Sequence, residues 1–233
     1  MSRLPPSRFF PPAETAGPEG LLAVGGELTP AWLLDSYRHG VFPWPVRDVL
    51  AWWSPDPRAI IELDRLHVPR RLARTLAGAR FRVTCDRDFA GVLAGCATAQ
   101  LRTEATWLTP PLRAAFERMH ALGYAHSVEV WQGDELVGGT YGLALGAMFA
   151  AESMFYRARD ASKVALVNLV EHLRARGYLL LDIQQLTPHT ARFGAIEIPR
   201  ADYLRRLDEA LRHSATFGRQ LETGALRNSV STL

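Results

Sequence analysis

Three polar side chains interrupt otherwise apolar runs of the sequence, and their types suit chemistry on an amine. Glu152 lies in the run from Ala147 to Phe155, and Asp182 and Gln184 lie in and beside the run from Tyr178 to Ile183. Strands buried on both faces normally read as apolar runs, and an unpaired buried carboxylate is costly. These groups are therefore either paired or directed into a cleft, where carboxylates would hold a cation and the amide would orient an attacking nitrogen.

A purely structural interpretation stays open on the residue types alone. An acidic residue at a strand end usually caps a helix or lies satisfied at the surface. Glu152 has such an alternative, a salt bridge to an arginine or to Lys163, which is the only lysine of the chain. Three polar residues on adjacent strands, beside a helix start at Asp160, weaken this interpretation without excluding it.

The composition bounds the class of protein. The chain has 233 residues, 48% hydrophobic and 22% charged, which is ordinary for a soluble globular protein. No apolar run approaches the roughly 18 residues of a membrane span, and prolines interrupt the N-terminus where a signal peptide needs an apolar core. Cys85 and Cys96 make no disulfide framework, and no Cys or His pair has zinc spacing. We expect a monomeric, cytoplasmic protein without metal or cofactor.

The pattern of the chain changes near residue 62. Residues 1–62 are rich in Pro, Gly and Trp, and we expect a small N-terminal domain that is loop-like apart from a helix opened by Thr29-Pro30. Residues 63–233 are more regular, with three extended runs between His126 and Phe155 followed by a helix, a strand, a helix and a final strand. This is an α+β layout. Residues 214–233, rich in Ser, Thr and Gly, are predicted to form a flexible tail.

The order of these elements is that of the N-acyltransferase (GNAT-like) fold, with a mixed, mostly antiparallel sheet flanked by helices. That fold usually carries a glycine-rich pyrophosphate loop at the start of its central helix. Here the corresponding segment, Arg157 to Lys163, contains no glycine, and Asp160 at the helix start would repel a pyrophosphate. Coenzyme A is therefore disfavoured as a donor.

Several blocks of the sequence occur in the order known from one family: GLLAVGGELTPAWLLDSYRHGVFPW, WWSPDPR, Trp107-Leu108, AHSVEVW, ELVGGTYG, AESMF, ASKVAL and the strand carrying Asp182 and Gln184. They cover roughly residues 20 to 205 and resemble the leucyl/phenylalanyl-tRNA–protein transferase family. The resemblance implies a GNAT-like body with a small N-terminal domain. It also implies transfer of Leu or Phe, and less well Met, from leucyl-tRNA or phenylalanyl-tRNA to proteins with N-terminal Arg or Lys, creating an N-terminal degradation signal.

The resemblance implies catalytic roles for Asp182, Gln184 and Glu152. A tRNA-linked ester is already activated, and an α-amino group is partly neutral at pH 7, so orientation should matter more than a strong base. Asp182 and Gln184 are two residues apart on a strand and should face the same side. We expect this pair to position the amine first; whether Gln184, polarised by Asp182, also removes a proton stays open. Glu152 would hold the cationic amine or side chain of the acceptor.

Substrate-binding residues are implied by family position or by residue type. Trp44 and Trp107 suit stacking on the terminal adenine. The exposed face of one helix suits tRNA phosphates, although a solvated arginine face looks the same; its residues are Arg70, Arg71 and Arg74. An apolar socket for the aminoacyl side chain is implied, although the same spacing describes a packed core; its residues are Phe149, Leu166, Leu169, Leu173 and Leu181, with Ser153 also assigned to substrate binding.

Two rival functions belong to other classes. A coenzyme-A-dependent N-acetyltransferase would share the fold but lacks its phosphate loop here. A non-enzymatic, basic tRNA-binding module would explain the arginines, but it leaves Asp182 and Gln184 without a purpose.

Overall fold

A small antiparallel sheet forms the N-terminal part of the molecule. The computed structural model describes residues 5–47, 49–99 and 107–222. Strands β1 (Leu21–Val24), β2 (Phe42–Pro43) and β3 (Ala51–Trp53) pair in the order β1-β3-β2. Helix α1 (Pro30–Arg38) links β1 to β2, and it begins as predicted, because the Thr29 side chain accepts a hydrogen bond from the backbone nitrogen of Trp32.

A seven-stranded sheet forms the body, in the order β10-β4-β9-β8-β7-β6-β5. All neighbouring strands are antiparallel except β8 and β9, which are parallel. The strands are β4 (Arg58–Ile61), β5 (Arg82–Cys85), β6 (Ala125–Gln132), β7 (Glu135–Leu145), β8 (Met148–Tyr156), β9 (Leu180–Gln184) and β10 (Ile196–Ile198). The helices are α2 (Arg70–Ala77), α3 (Phe89–Ala99), α4 (Pro110–Ala121), α5 (Ala161–Ala175), α6 (Pro188–Ala191) and α7 (Arg200–Arg212), with short 3-10 turns at Ala13–Thr15 and Leu63–Arg65.

Helices cover both faces of this large sheet and enclose two apolar clusters. One cluster lies under α5, and the other lies under α3, α4, α7 and the small N-terminal sheet. A mostly antiparallel sheet with one parallel pair, joined by the long helix α5, is the expected GNAT-like architecture. The fold class is thus confirmed.

Two segments differ from the sequence expectations. The N-terminal part is not loop-like, because it contains three strands and an aromatic core in which Trp52 packs edge-on against Phe10. Strand β4 lies before residue 62 but belongs to the large sheet, so a domain division at residue 62 would separate β4 from the other strands of that sheet. The division at residue 62 stays a prediction. Part of the expected tail packs onto the body, where the backbone carbonyl of Phe217 accepts a hydrogen bond from His172. Residues 223–233 of that tail lie outside the described residues.

Candidate active site

The parallel pairing of β8 and β9 ends where the candidate catalytic residues begin. The last registered pair is Ala150 with Asp182. On β8 the register against β7 shifts between the pairs Gly142–Ala151 and Tyr141–Ser153, so that Glu152 is an extra residue. On β9 the register against β4 shifts in the same way, which leaves Ile183 as the extra residue. Such β-bulges end regular pairing and redirect side chains.

The β8 bulge depends on a glycine in the neighbouring strand. A Cβ atom on Gly142 would lie 2.1 Å from the carbonyl oxygen of Ala150, well inside van der Waals contact. Only glycine lets the two backbones approach this closely. The position of Glu152 is therefore determined by a backbone constraint on β7 as well as by its own strand.

Asp182 is fully buried and both of its carboxylate oxygens are occupied. Oδ1 accepts hydrogen bonds from Arg58 Nε and from the backbone nitrogen of Gln184, both at 2.9 Å. Oδ2 accepts from Arg58 Nη2 at 2.7 Å and from the Tyr203 hydroxyl at 2.9 Å. With four donors around it, Asp182 sets the geometry of its neighbours and has little capacity left for a substrate.

Arg58, the partner of Asp182, joins the small N-terminal sheet to α7. Its guanidinium lies 4.8 Å from the ring centre of Phe42 and 4.4 Å from that of Tyr203, and its Nη1 donates to the carbonyl of Gly40 at 3.1 Å. Sequence reasoning missed Arg58, although one signal was present: an arginine opens the otherwise apolar strand Arg58–Ile61. A buried bidentate arginine of this kind orients a carboxylate rigidly.

Glu152 differs from Asp182 because it is half-buried and has one oxygen left without a partner in the described structure. Oε1 accepts a hydrogen bond from the Tyr37 hydroxyl at 2.7 Å and from Gln184 Nε2 at 3.3 Å. Burial raises the pKa of Glu152 to about 8, and the nearby Asp182 charge also raises it, against the opposing effect of the Tyr37 hydrogen bond. Burial therefore favours the protonated form of this carboxyl, and a cation beside it would favour the ionised form.

Gln184 connects the two carboxylates through a strained backbone. Its φ is 58°, in the left-handed region that non-glycine residues rarely occupy. This conformation lets its backbone nitrogen donate to Asp182 while its side chain donates to Glu152. The side chains of Asp182 and Gln184 do not hydrogen-bond to each other directly. Tyr37, Tyr203 and Arg58 complete the cluster, and all three come from elements distant in sequence.

The five residues assigned to the aminoacyl socket lie on the other side of the large sheet. Phe149 and Leu181 alternate with Ala150 and Asp182 along their strands and so point to the opposite face. There they pack under α5 in one closed apolar cluster. Their assignment to a socket stays a prediction. The buried set is Phe149, Leu166, Leu169, Leu173 and Leu181. Ser153, also assigned to substrate binding, is half-buried beside Glu152, and its carbonyl accepts a hydrogen bond from Thr140.

Trp44 and Trp107, assigned to the adenine, stack on each other. Their ring centres are 4.7 Å apart and their planes differ by 14°. Trp107 is 8% exposed, whereas Trp44 is 39% exposed. The structure thus brings together two residues far apart in sequence, and Trp44 is the ring that remains accessible.

The three arginines assigned to tRNA phosphates are exposed on α2, which packs against α5. Arg71 lies close enough to Asp160 for its charge to lower the pKa of that carboxyl, after the larger effect of the Lys163 hydrogen bond. Lys163 pairs with Asp160 at 2.6 Å, so the alternative salt bridge from Lys163 to Glu152 is not the one that forms. Cationic residues are concentrated near the starts of α2 and α5: Arg70, Arg71, Arg157, Arg159 and Lys163.

The described ranges contain neither a metal-binding cluster nor a membrane-spanning helix. No group of three or more His, Cys, Asp or Glu residues is arranged there to hold a metal ion. Within the same ranges, every helix is too short or too polar to cross a bilayer.

Comparison with known proteins places the chain in a family. A family model for leucyl/phenylalanyl-tRNA protein transferase matches residues 60–208, and the model for its N-terminal domain matches residues 26–56. A leucyl/phenylalanyl-tRNA–protein transferase of Nitratidesulfovibrio vulgaris (strain DP4) is 52% identical over 213 residues, 91% of each chain. One from Chromohalobacter salexigens is 53% identical over 204 residues, 86% of this chain and 79% of the other.

Likeness to solved structures is weaker. A GCN5-related N-acetyltransferase from Kribbella flavida is 13% identical, with a TM-score of 0.39 over 73% of this chain and 61% of the other. That likeness is too distant to bear on the site. The family models and the curated relatives cover most of the chain at about half identity, and on their strength the chain belongs to the leucyl/phenylalanyl-tRNA–protein transferase family.

Proposed function

We propose that this aminoacyltransferase moves leucine or phenylalanine, and less well methionine, from leucyl-tRNA or phenylalanyl-tRNA to the α-amino group of proteins that begin with Arg or Lys. The observation that carries the proposal is the cluster at the end of the parallel strand pair. It combines a half-buried carboxyl of raised pKa, Glu152, with an amide, Gln184, whose orientation is set by a saturated ion pair. This arrangement suits recognition of a cationic amine.

The reaction is aminolysis of an ester. The acceptor nitrogen attacks the carbonyl carbon of the aminoacyl ester, a C–N bond forms, and the bond to the terminal ribose oxygen breaks. The nitrogen loses one proton and the ribose oxygen gains one. Holding the two reactants in place can lower the activation barrier by roughly 7–11 kcal/mol. Proton transfer accelerates the reaction by about 10² to 10⁴, which corresponds to only about 3–5 kcal/mol. Positioning is the main task of the protein.

Gln184 positions the attacking amine through its carbonyl oxygen. Its Nε2 already donates to Glu152, which leaves Oε1 as the acceptor for an amine hydrogen. Asp182 acts indirectly in this proposal, because its oxygens are occupied by Arg58, Tyr203 and the Gln184 backbone. The pair positions the amine, as the sequence suggests, but Asp182 does so through the backbone of Gln184.

Glu152 binds the positive charge of the acceptor. A cation beside this carboxyl favours its ionised form, so acceptor binding near neutral pH should release a proton. Calorimetry of an Arg-initiated peptide in two buffers of different ionisation enthalpy would measure this proton. The Glu152→Gln variant should bind the peptide with no such release. Equal proton release by both proteins would remove Glu152 from acceptor binding.

The donor occupies three further places in this proposal. Its terminal adenine stacks on the accessible face of Trp44, and its phosphates lie along the arginines of α2. Its side chain enters the apolar cluster under α5, where it must displace side chains that are packed together. Such a socket favours Leu and Phe over smaller residues by roughly 0.8 kcal/mol per buried methylene.

The salt dependence of donor binding tests the phosphate track. Changing Arg70, Arg71 and Arg74 together to Ala should weaken aminoacyl-tRNA binding and lower its salt slope by about two, at roughly 0.7–0.9 per phosphate contact. Binding of a minimal aminoacyl-adenosine should not change. Arg205→Ala, at an exposed position on α7, is the matched control. An unchanged slope in the triple variant would assign these arginines to a solvated surface.

Incubation with charged leucyl-tRNA tests the proposed function itself. An Arg-initiated peptide should gain the mass of one leucine residue, whereas a matched Glu-initiated peptide should not. A peptide that gains an acetyl group from acetyl-coenzyme A instead would favour the N-acetyltransferase. Binding of tRNA without any transfer would favour the non-enzymatic module. We further propose that the enzyme works as a cytoplasmic monomer, where charged tRNA is available, and that its product carries a signal for proteolysis.

A further inference from the structure

The apolar cluster under α5 begins one residue pair behind the catalytic ends of β8 and β9. The pairing of these strands ends at Ala150 and Asp182, so no backbone hydrogen bonds join them beyond that pair. The pair before it, Phe149 and Leu181, points into the cluster. A side chain attached to the reacting carbonyl can therefore pass between the two strand ends, and Phe149 is the first ring of the cluster along that route.

The ring of Phe217 lies on the far side of Phe149 from the catalytic residues. The two ring centres are 5.6 Å apart and their planes differ by 26°. Phe217 and Gly146, in the turn between β7 and β8, both border an outer cavity of about 670 Å³. Phe149 lies midway along the chain between Gly146 and Glu152. The cluster therefore has the catalytic residues at one end and this outer cavity at the other.

Phe217 closes the end of the cluster next to the outer cavity. The residue is only 2% exposed, so its ring is directed into the cluster and not into the cavity. The ring stacks on His126 at 4.4 Å and meets His172 edge-on at 4.6 Å. A smaller side chain at this position would extend the apolar space beyond Phe149 towards the cavity. The size of the Phe217 ring thus limits the depth of the cluster.

Hydrogen bonds from α5 hold the segment that carries Phe217. Residues 214–222 form no helix or strand in the described structure. His172 Nε2 contacts the Phe217 carbonyl at 2.7 Å, and His172 Nδ1 accepts a hydrogen bond from the backbone nitrogen of Glu222 at 2.9 Å. Arg176 Nε donates to the Thr216 carbonyl at 2.8 Å. The ring is therefore held in place although its segment is irregular.

We propose, on the basis of the proposed function, that Phe217 forms the floor of the aminoacyl socket and limits the length of the donor side chain that fits. Phe217 lies beyond residue 208, where the match to the family model ends. It is a selectivity-determining residue supplied by the C-terminal segment. A difference of one methylene in an apolar pocket changes selection by roughly 10–200-fold, so a change in the floor should be measurable.

Binding of two donor analogues to the full chain tests this role. Adenosine that carries leucine or phenylalanine through a 3′-amide resembles the end of the donor but lacks the activated ester. Calorimetry gives the ratio of the two Kd values without any transfer. Phe217→Leu deepens the socket and should shift this ratio at least fivefold towards the phenylalanyl analogue. Phe217→Trp fills the socket and should shift it at least fivefold towards the leucyl analogue.

Phe193→Leu is the matched control for a general loss of packing. Phe193 is as deeply buried in the same cluster, but its ring contacts His189 of α6. This variant should lower the melting temperature about as much as Phe217→Leu and leave the Kd ratio within twofold of the original. An unchanged ratio in both Phe217 variants, or an equal change in Phe193→Leu, would overturn the proposal.

Failure of the proposed function would be seen separately from failure of this assignment. If the original protein bound both analogues but transferred no leucine in the peptide mass assay, only the proposed function would be contradicted. The Kd ratios would then still decide the role of Phe217. If the original protein bound neither analogue, the assignment of Phe217 to a socket floor would be overturned.

Discussion

Asp182 and Glu152 are acidic residues on neighbouring strands of one sheet, yet their surroundings differ in kind. Asp182 receives four hydrogen bonds, three of them from Arg58 and Tyr203, and is inaccessible to solvent. Glu152 receives two, both at the same oxygen, and remains half-buried. The number of donors and the presence of a buried cation separate a group that supports structure from one that can respond to a ligand.

The largest expected effect comes from removing the cation beside Asp182. Arg58→Met should lower the free energy of unfolding by about 3–5 kcal/mol, because it leaves a buried carboxylate without its partner. Denaturant unfolding at pH 7 would measure this. The double variant Arg58→Met/Asp182→Leu should recover at least half of the loss. A cost below about 1 kcal/mol for the single variant would mean that Asp182 does not depend on Arg58.

Removing the charge of Glu152 should raise the free energy of unfolding, in contrast to Arg58→Met, and this gain should depend on pH. The pKa of Glu152 is raised in the folded protein to about 8, from an ordinary value of 4.5. The folded state then binds more protons than the unfolded state between those values, so this group lowers stability as pH rises through that window. Relative to the original protein, Glu152→Gln should gain on the order of 4 kcal/mol between pH 5 and pH 9. A difference that is constant with pH would contradict this.

Two tyrosine variants compare the hydrogen bonds to the two carboxyls. The Tyr37 hydrogen bond lowers the pKa of Glu152, so Tyr37→Phe should raise that pKa and move the upper end of the pH-dependent loss of stability to higher pH. Tyr203→Phe removes the same kind of bond from Asp182, where Arg58 remains, and should not move that transition. Unfolding curves at half-unit pH intervals would measure both. Equal shifts in the two variants would remove the distinction between the sites.

The smallest expected effect concerns the backbone that joins the two carboxyls. Gln184 has a φ of 58°, so Gln184→Gly should relieve strain and raise the free energy of unfolding by about 0.5–1 kcal/mol while slowing transfer. Gln185→Gly, at the next position and without a positive φ, should destabilise by a similar amount. Thermal unfolding together with the peptide mass assay would measure both. A destabilised Gln184→Gly would show that the side chain contributes more than the strain costs.

Regular elements were predictable from the sequence because their signals are local. The Thr29-Pro30 start of α1 was predicted from neighbouring residues. The cap of α3 is equally local, because Asp88 accepts a hydrogen bond from the Gly91 nitrogen at 2.9 Å. Strands β1, β2 and β3 were missed because they have two to four residues, too few to show an alternating pattern. Short strands depend on their partners rather than on their own sequence.

The candidate site was predictable in its residues but not in its arrangement. Glu152, Asp182 and Gln184 do lie together, as three polar groups on apolar strands suggested. The two bulges and the left-handed backbone of Gln184 cannot be predicted from the residue types. These backbone features direct Asp182 towards Arg58 and Gln184 towards Glu152. Arg58 and Tyr203 were missed because their contacts with Asp182 join separate parts of the chain, 124 and 21 residues apart.

The position of β4 in the large sheet has a consequence for synthesis of the protein. This N-terminal strand lies between β9 and β10, which are made much later. During translation the strand has neither neighbour until the ribosome has passed residue 184, and β10 follows only at residue 198. Long-range pairing of this kind is slow. The catalytic cluster is therefore among the last parts of the molecule to assemble. A nascent chain released before that point contains Arg58 and Tyr37 but no site, and it exposes an unpaired strand edge to other chains.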